Sequence, residues 1–248
     1  MIDLHTHILP NMDDGASSAQ VSAQLLQMEF EQGVTQVALT PHYYGRRSVD
    51  EFLTKRKKAL DSIMQYVPKE MKVIVGAEVL LTGVNDPTDD ALCALAIENT
   101  KYVLFELPFQ RWRESLLERI ADFIEETGYT PIIAHVERYV EALKNPSVLT
   151  YLAELGCLIQ VNASAFLDKR MKRFAFALLK KGLVHCIGTD AHNLENRTVD
   201  YAEAKCAIEK KGMLAEWNGI QWCMQKVVNG ERVLLPCKTV RKFGTWYF

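Results

Sequence analysis

The chain has 248 residues, of which 48% are hydrophobic and 24% charged, so it can bury the core of one large domain. Its net charge of −2 argues against a nucleic-acid-binding protein that relies on a basic face, and the even spread of apolar residues excludes disorder. No apolar run reaches the roughly 18 residues of a membrane helix. The first ten residues lack a signal-peptide pattern, so we expect a cytoplasmic protein without membrane insertion.

Apolar runs alternate with segments of helical periodicity. Strands are predicted at residues 2–5, 34–40, 73–81, 102–107, 130–135, 157–162 and 184–189. Helices are predicted from Ser17 or Ser18 to about residue 32, where Gly33 follows, and at residues 49–66, 115–127, 147–155, 168–181 and 201–211. This alternation predicts an α/β protein with a parallel barrel, because a phosphate-binding open sheet would normally carry a glycine-rich first turn. Residues 1–248 are predicted to form a single domain, with residues 236–248 as an appended tail.

The cysteines provide no recognisable catalytic motif. Six of them are scattered without a C-x-x-C pair, which is typical of thiols in a reducing compartment. None is followed by arginine six positions later, so the C-x5-R loop of cysteine-based phosphatases is absent.

Histidines and carboxylates instead collect at the predicted carboxyl ends of the strands, where parallel barrels place their active sites. The set comprises nine residues: His5, His7, Asp14, His42, Glu78, Glu106, His135, Asp190 and His192. Imidazole and carboxylate ligands together suit Zn²⁺, Mn²⁺ or Fe²⁺. Nine donors exceed the needs of one ion, so the pattern predicts two or three ions with bridging carboxylates. His185 begins the seventh predicted strand, at the opposite end, and is predicted to be structural.

Each of these residues has a simpler interpretation when it is taken alone. An isolated H-x-H pair is a weak signal, and Glu78 or Glu106 would be a strand residue facing solvent. His135 would be a hydrogen-bonded core histidine. A shared location at the same end of different strands favours the metal centre over these separate explanations.

The opening segment IDLHTHILPNMDDG resembles the first motif of the PHP (polymerase and histidinol phosphatase) superfamily, and the match to its capsule-type tyrosine phosphatases is closer still. Later segments are similar to successive motifs of that group. They are Thr40-Pro41-His42, Gly76-Ala77-Glu78, Glu106, the IIAHVERY segment at residues 132–139, and residues 189–193 followed by Arg197. The resemblance covers about residues 1–235.

This resemblance implies a distorted (β/α)7 barrel in the cytoplasm that holds three divalent ions, usually manganese, with iron or zinc as alternatives. It implies the nine residues above as ligands, and Arg138 and Arg197 as phosphate-binding groups. It also implies phosphotyrosine hydrolysis on a bacterial tyrosine kinase that controls capsular or exopolysaccharide synthesis. For Arg138, a surface salt bridge with Glu137 or Glu141 is the alternative.

The predicted chemistry is in-line attack of a metal-activated hydroxide on phosphate, without a phosphoenzyme. A tyrosine phenol, with a pKa of about 10, leaves more easily than a serine alkoxide.

Three other functions stay open: a small-molecule phosphatase such as histidinol phosphatase, a non-enzymatic metal-binding subunit of a polysaccharide assembly, and a TatD-type nuclease. Residues 43–47 and 111–113 depart from the family pattern and are predicted to shape substrate entry. Tyr43, Tyr44 and Trp112 would either pack against a phosphotyrosine ring or serve ordinary packing.

Overall fold

Parallel strands that curl into a barrel form the centre of the computed structural model, which describes residues 1–83, 86–233, 238–244 and 246–247. The barrel strands are β1 (Ile2–Thr6), β2 (Gln36–Leu39), β3 (His42–Tyr43), β4 (Lys72–Val75), β5 (Glu78–Leu80), β6 (Tyr102–Glu106), β7 (Thr130–Ile133), β8 (Leu158–Asn162) and β9 (Cys186–Gly188). Pairing runs β1–β2–β4 and β3–β5–β6–β7–β8–β9. A parallel bridge between Thr6 and Ala191 brings the end of β9 back to β1. The distorted (β/α)7 barrel is therefore confirmed.

Two of the seven strand positions are interrupted, and these interruptions account for the distortion. The predicted strand at residues 34–40 resumes beyond Pro41 as β3, because proline removes one ladder amide but His42 pairs again, with Glu78. The predicted strand at residues 73–81 is not continuous either, since it splits at Gly76 and Ala77 into β4 and β5. Glu78 is consequently the first residue of a new strand.

The closure of the barrel requires a residue without a side chain at position 188. A β-carbon added to Gly188 would lie 2.5 Å from the β-carbon of His5, much closer than two carbons can approach. Beyond this contact, the Asp190 amide donates to the His5 carbonyl at 2.8 Å, and the His7 amide donates to the Ala191 carbonyl at 2.9 Å. The ends of β1 and β9 are thus fixed side by side.

Helices surround the barrel. They are α1 (Ala19–Glu31), α2 (Val49–Ile63), α3 (Asp89–Ala94), α4 (Glu114–Thr127), α5 (Val140–Lys144), α6 (Ser147–Glu154), α7 (Lys172–Lys180), α8 (Tyr201–Lys210) and α9 (Leu214–Val228). The Ser18 hydroxyl caps α1, and left-handed Gly128 ends α4, as their residue types predict. No described helix is both long and apolar enough to cross a membrane.

The predicted tail is described only in part, because residues 236, 237, 245 and 248 lie outside the described residues. The short strands β10 (Lys242–Phe243) and β11 (Trp246–Tyr247) form an antiparallel pair. The Tyr247 ring packs against Phe174 of α7, with 4.8 Å between ring centroids. The Lys242 ammonium donates to the Leu143 carbonyl at 2.6 Å. These contacts attach the tail to the outside of the barrel, and the single-domain boundary stays a prediction.

Candidate metal centre

All nine predicted ligands lie in one cluster at the carboxyl end of the barrel. β1 and β9 supply the first group of donors, because their ends are fixed side by side. The His5 and His7 Nε2 atoms are 3.1 Å apart. The Oδ1 atom of Asp190 lies 3.7 Å from His5 Nε2 and 3.4 Å from His7 Nε2. These three residues converge closely enough to share one cation.

A second group forms where β3 and β5 begin and β6 ends, because His42 and Glu78 are the first residues of β3 and β5 and Glu106 is the last residue of β6. His42 Nδ1 lies 2.9 Å from Glu78 Oε2 and 3.9 Å from Glu106 Oε2. His135, just after β7, places its Nε2 atom 2.7 Å from Glu78 Oε1 and 3.6 Å from Glu106 Oε1. His135 adopts a left-handed backbone, with φ of 30°, which is uncommon outside glycine and tends to occur at functional sites.

A third group surrounds Asp14, whose side chain is 64% exposed. Its Oδ1 atom lies 3.6 Å from His42 Nε2 and 3.5 Å from His192 Nε2. His7 belongs to this group as well as to the first. Glu78 connects the cluster, because its Oε2 atom is 3.3 Å from His5 Nε2 and 3.1 Å from His7 Nε2, in addition to its His42 contact.

Hydrogen bonds on the outer side of three histidines direct their second nitrogens into the cluster. His7 Nδ1 pairs with Asp13 at 2.7 Å, His192 Nδ1 pairs with the Asp190 carbonyl at 2.7 Å, and His5 Nδ1 faces the Gln160 side-chain oxygen at 3.3 Å. Because each partner is an acceptor, each Nδ1 donates a proton and each Nε2 faces into the cluster. Metal-binding histidines are typically held in this way by an acceptor behind the ring.

The donor set fits divalent cations and is poorly satisfied without them. Buried atoms without a hydrogen-bond partner include Glu78 Oε2, His42 Nδ1, His135 Nδ1 and His192 Nε2. Burial, together with the neighbouring Glu78 carboxylate, raises the pKa of Glu106. Burial also lowers the pKa of His192 to about 3, so its ring is neutral at physiological pH. A bound cation would stabilise this arrangement, because it accepts lone pairs from the buried nitrogen and oxygen atoms and offsets the repulsion between the carboxylates.

The two predicted phosphate-binding arginines meet at Asp190. Arg197 Nη2 donates to both carboxylate oxygens of Asp190, at 2.8 and 2.7 Å, and Arg138 Nη1 donates to Oδ2 at 3.3 Å. Glu137 is buried, and burial raises its pKa to about 8, whereas Glu141 lies 4.0 Å from Arg111. The geometry thus favours Asp190 over either predicted salt-bridge partner of Arg138. Both arginines line a cavity of about 400 Å³ that extends outward from Asp190.

Two exposed aromatic rings lie against predicted ligands of the cluster. Tyr44 stacks on His42, with 4.8 Å between ring centroids, and Phe109 stacks on His135 at 5.9 Å. Arg138 lies over Phe109, with 4.8 Å from its guanidinium carbon to the ring centroid. Tyr43 and Trp112, the other aromatic candidates, are buried and belong to the packing of the barrel.

Sequence reasoning named Asp14 in the Asp13-Asp14 pair but gave Asp13 no role. Asp13 Oδ2 accepts from the His42 amide at 2.7 Å in addition to its His7 contact, so it orients two predicted ligands. Although burial lowers the pKa of His7, the Asp13 and Glu78 carboxylates outweigh burial and raise that pKa to about 10. The feature of the sequence that could have indicated a role for Asp13 is its position next to Asp14.

His185 lies outside the cluster, because its Nδ1 accepts from the Ile159 amide at 3.0 Å.

Replacing Asp13 by Asn is expected to weaken metal binding by roughly 10- to 100-fold, the usual cost of losing a carboxylate behind a ligand histidine. The reason is that an amide NH₂ would face the His7 Nδ1–H group where a carboxylate oxygen now accepts. Metal competition against a chromogenic chelator measures the change. Asp61→Asn removes an exposed carboxylate of α2 and serves as the control. Equal metal affinity in Asp13→Asn and the unmodified protein would contradict this role.

Several known proteins are similar to this chain over most of its length. The family model described as capsular polysaccharide synthesis, CpsB/CapC, matches residues 1–222. Tyrosine-protein phosphatase YwqE of Bacillus subtilis (strain 168) is 33% identical over 220 residues, which cover 85% of each chain. Tyrosine-protein phosphatase CpsB of Streptococcus pneumoniae is 29% identical over 231 residues, which cover 85% of this chain and 90% of the relative.

A solved structure is similar to this chain as well. It comes from crystal structures of YwqE from Bacillus subtilis and CpsB from Streptococcus pneumoniae, which are described as unique metal-dependent tyrosine phosphatases. It aligns with a TM-score of 0.83 at 28% sequence identity, covering 98% of this chain and 100% of the other. The resemblance inferred from the motifs is therefore confirmed, and this chain belongs to the CpsB/CapC family of capsular polysaccharide synthesis proteins.

Proposed function

We propose that this chain is a metal-dependent protein-tyrosine phosphatase that acts in the cytoplasm on a phosphotyrosine-bearing bacterial tyrosine kinase of capsular or exopolysaccharide synthesis. The observation that carries the proposal is one cluster of nine imidazole and carboxylate side chains beside two arginines that pair with Asp190. The family membership and the names of the relatives agree with it.

Three ions, most readily Mn²⁺ with iron or zinc as alternatives, account for the distribution of the ligands. The donors divide into three overlapping groups that share His7 and His42, and Glu78 contacts both His residues. Mixed imidazole and carboxylate donors are compatible with all three metals. Cations bound there would lower the pKa of water, which supplies the nucleophile, and would neutralise charge on phosphate.

The protein's own groups would hold the phosphate and direct the leaving group. The Arg138 and Arg197 guanidinium groups have the fork geometry that matches phosphate oxygens, and both line the cavity beside the cluster. Tyr44 and Phe109 are 45% and 41% exposed, so each offers ring surface against which a phosphotyrosine ring would pack. A phenol leaving group, with a pKa of about 10, places little demand on a general acid.

The test combines metal analysis with hydrolysis of two substrates. Mn²⁺-loaded protein should release phosphate from a phosphotyrosine peptide much faster than from histidinol phosphate. His135→Ala should lose both metal and activity, because its ring contacts both Glu78 and Glu106. His185→Asn is the matched control, since that histidine is buried outside the cluster and Asn keeps an acceptor near Nδ1. Preference for histidinol phosphate, or no phosphatase activity after full metal loading, would refute the proposal.

A further inference from the structure

A second cavity adjoins the metal cluster, and neither Arg138 nor Arg197 lines it. It measures about 270 Å³ and lies between the loop after β3 and the start of α2. His42 and Asp13 form the wall that it shares with the cluster. Three basic residues, Arg46, Arg47 and Lys55, line its other side, and we call these three residues the basic shelf.

The basic shelf carries positive charge without an anionic partner. Among the described residues, every lysine or arginine within 4.0 Å of a carboxylate lies elsewhere in the protein. Lys55 donates to the Met12 carbonyl at 3.2 Å, and the Arg46 guanidinium lies 5.7 Å from the centroid of the Tyr44 ring. Neither contact neutralises the charge, so the shelf can receive an anion.

The acid that lines this cavity is already engaged. Asp13 accepts hydrogen bonds from the His42 and Gly15 amides, at 2.7 and 2.9 Å, and pairs with His7. Its side chain is only 3% exposed, so it lies behind the cavity surface. It therefore leaves the shelf charges available to an incoming group.

Local packing holds the shelf in place. The Tyr43 hydroxyl donates to the Arg47 carbonyl at 2.8 Å, and the Tyr43 ring packs edge-on against Phe52, with 5.1 Å between centroids. Directly afterwards, Ser48 and Glu51 form a capping box that fixes the start of α2. Arg46 and Arg47 consequently project from an anchored turn beside the metal cluster, and Lys55 projects from α2.

From this geometry we infer that the basic shelf binds an anionic side chain of the substrate protein next to the target phosphotyrosine. The inference rests on the proposed function and adds a sequence preference to it. The two arginines proposed to hold the scissile phosphate pair with Asp190 and do not line this cavity, so an anion on the shelf belongs to a neighbouring residue. In an extended peptide, side chains on the same side repeat every second residue, roughly 6.5–7 Å apart, which suits a site separated from the cluster by one histidine ring.

The test measures the affinity of Mn²⁺-loaded protein for fluorescent peptides that carry a non-hydrolysable phosphotyrosine analogue. One peptide has Glu two residues before and two residues after the analogue, one has Gln at both of these positions, and one has a second copy of the analogue two residues away. The Glu peptide should bind about fivefold more tightly than the Gln peptide, and the gap should shrink at high salt. A greater gain with the second analogue would identify phosphotyrosine as the preferred neighbour, and a gain confined to Glu would identify a carboxylate.

In the double variant Arg46→Ala, Arg47→Ala, the Glu peptide and the Gln peptide should bind with similar affinity. Arg232→Ala, at the opposite end of the barrel, removes an exposed positive charge and should preserve the difference. Equal affinities in the unmodified protein, or an equal loss for all peptides in the double variant, would overturn the inference. Hydrolysis of a Gln-flanked phosphotyrosine peptide by the unmodified protein tests the proposed function separately, because that peptide offers the shelf no anion.

Discussion

Replacing Glu78 by Gln is expected to lower phosphotyrosine hydrolysis by a factor of about 10³ or more, equivalent to about 4 kcal/mol of transition-state stabilisation. Glu78 is completely buried and contacts four predicted ligands, His5, His7, His42 and His135. Gln has nearly the same shape but no negative charge, and its NH₂ group would face imidazole lone pairs or a cation. The variant should therefore bind fewer metal ions per chain.

Elemental analysis of purified protein measures the metal content, and steady-state kinetics on a phosphotyrosine peptide measures the activity. Glu29→Gln is a matched control, because Glu29 is also buried and burial raises the pKa of its carboxyl group well above the usual value. A group that is largely protonated at neutral pH loses little charge when it becomes an amide. If Glu78→Gln kept its metal and most of its activity, the prediction that Glu78 is a metal ligand would be wrong.

Much of this site was predictable because metal ligands and barrel topology impose simple rules on the sequence. Side chains at His5 and His7 share one side of an extended chain, and parallel strands bring their carboxyl ends to the same face. The convergence of β1, β3, β5, β6, β7 and β9 at one end therefore follows from recognising the strands. The grouping of the ligands depends on which strands neighbour each other, and β1 and β9 are neighbours only after the sheet closes at Gly188.

Other features depend on tertiary contacts that leave weak signals in the sequence. Helix α9 was not predicted, because no side chain caps it and Gly219 lies within it. Its stability comes from burial of Trp217, Ile220 and Met224. Asp13 and Asp14 are indistinguishable by residue type, yet one is 3% exposed behind His7 and the other 64% exposed. The backbone of the loop places Asp13 against His7 and leaves Asp14 largely exposed, and this placement cannot be read from the residue types.

The second large effect is expected at Arg197, which should be needed for phosphate binding but not for metal binding. Arg197 is 34% exposed and donates to both oxygens of Asp190, at 2.8 and 2.7 Å, so its fork already lies at the edge of the cluster. Arg197→Ala should lower kcat/KM for a phosphotyrosine peptide by about 10²-fold, or about 3 kcal/mol, because charged hydrogen bonds to a transition state are costly to lose. Its metal content should stay close to that of the unmodified protein.

Arg197→Lys separates fork geometry from charge alone. Lysine keeps the positive charge but cannot make two parallel hydrogen bonds, so it should recover less than a tenth of the lost activity. Arg138→Ala should lower kcat/KM by a smaller factor, about tenfold. Arg138 makes a single 3.3 Å hydrogen bond to Asp190, and its guanidinium group also packs against the Phe109 ring. Inhibition by inorganic phosphate gives an independent readout and should weaken in both alanine variants. Full rescue by lysine, or loss of metal that parallels loss of activity, would show that Arg197 acts through charge balance at Asp190 rather than by holding phosphate.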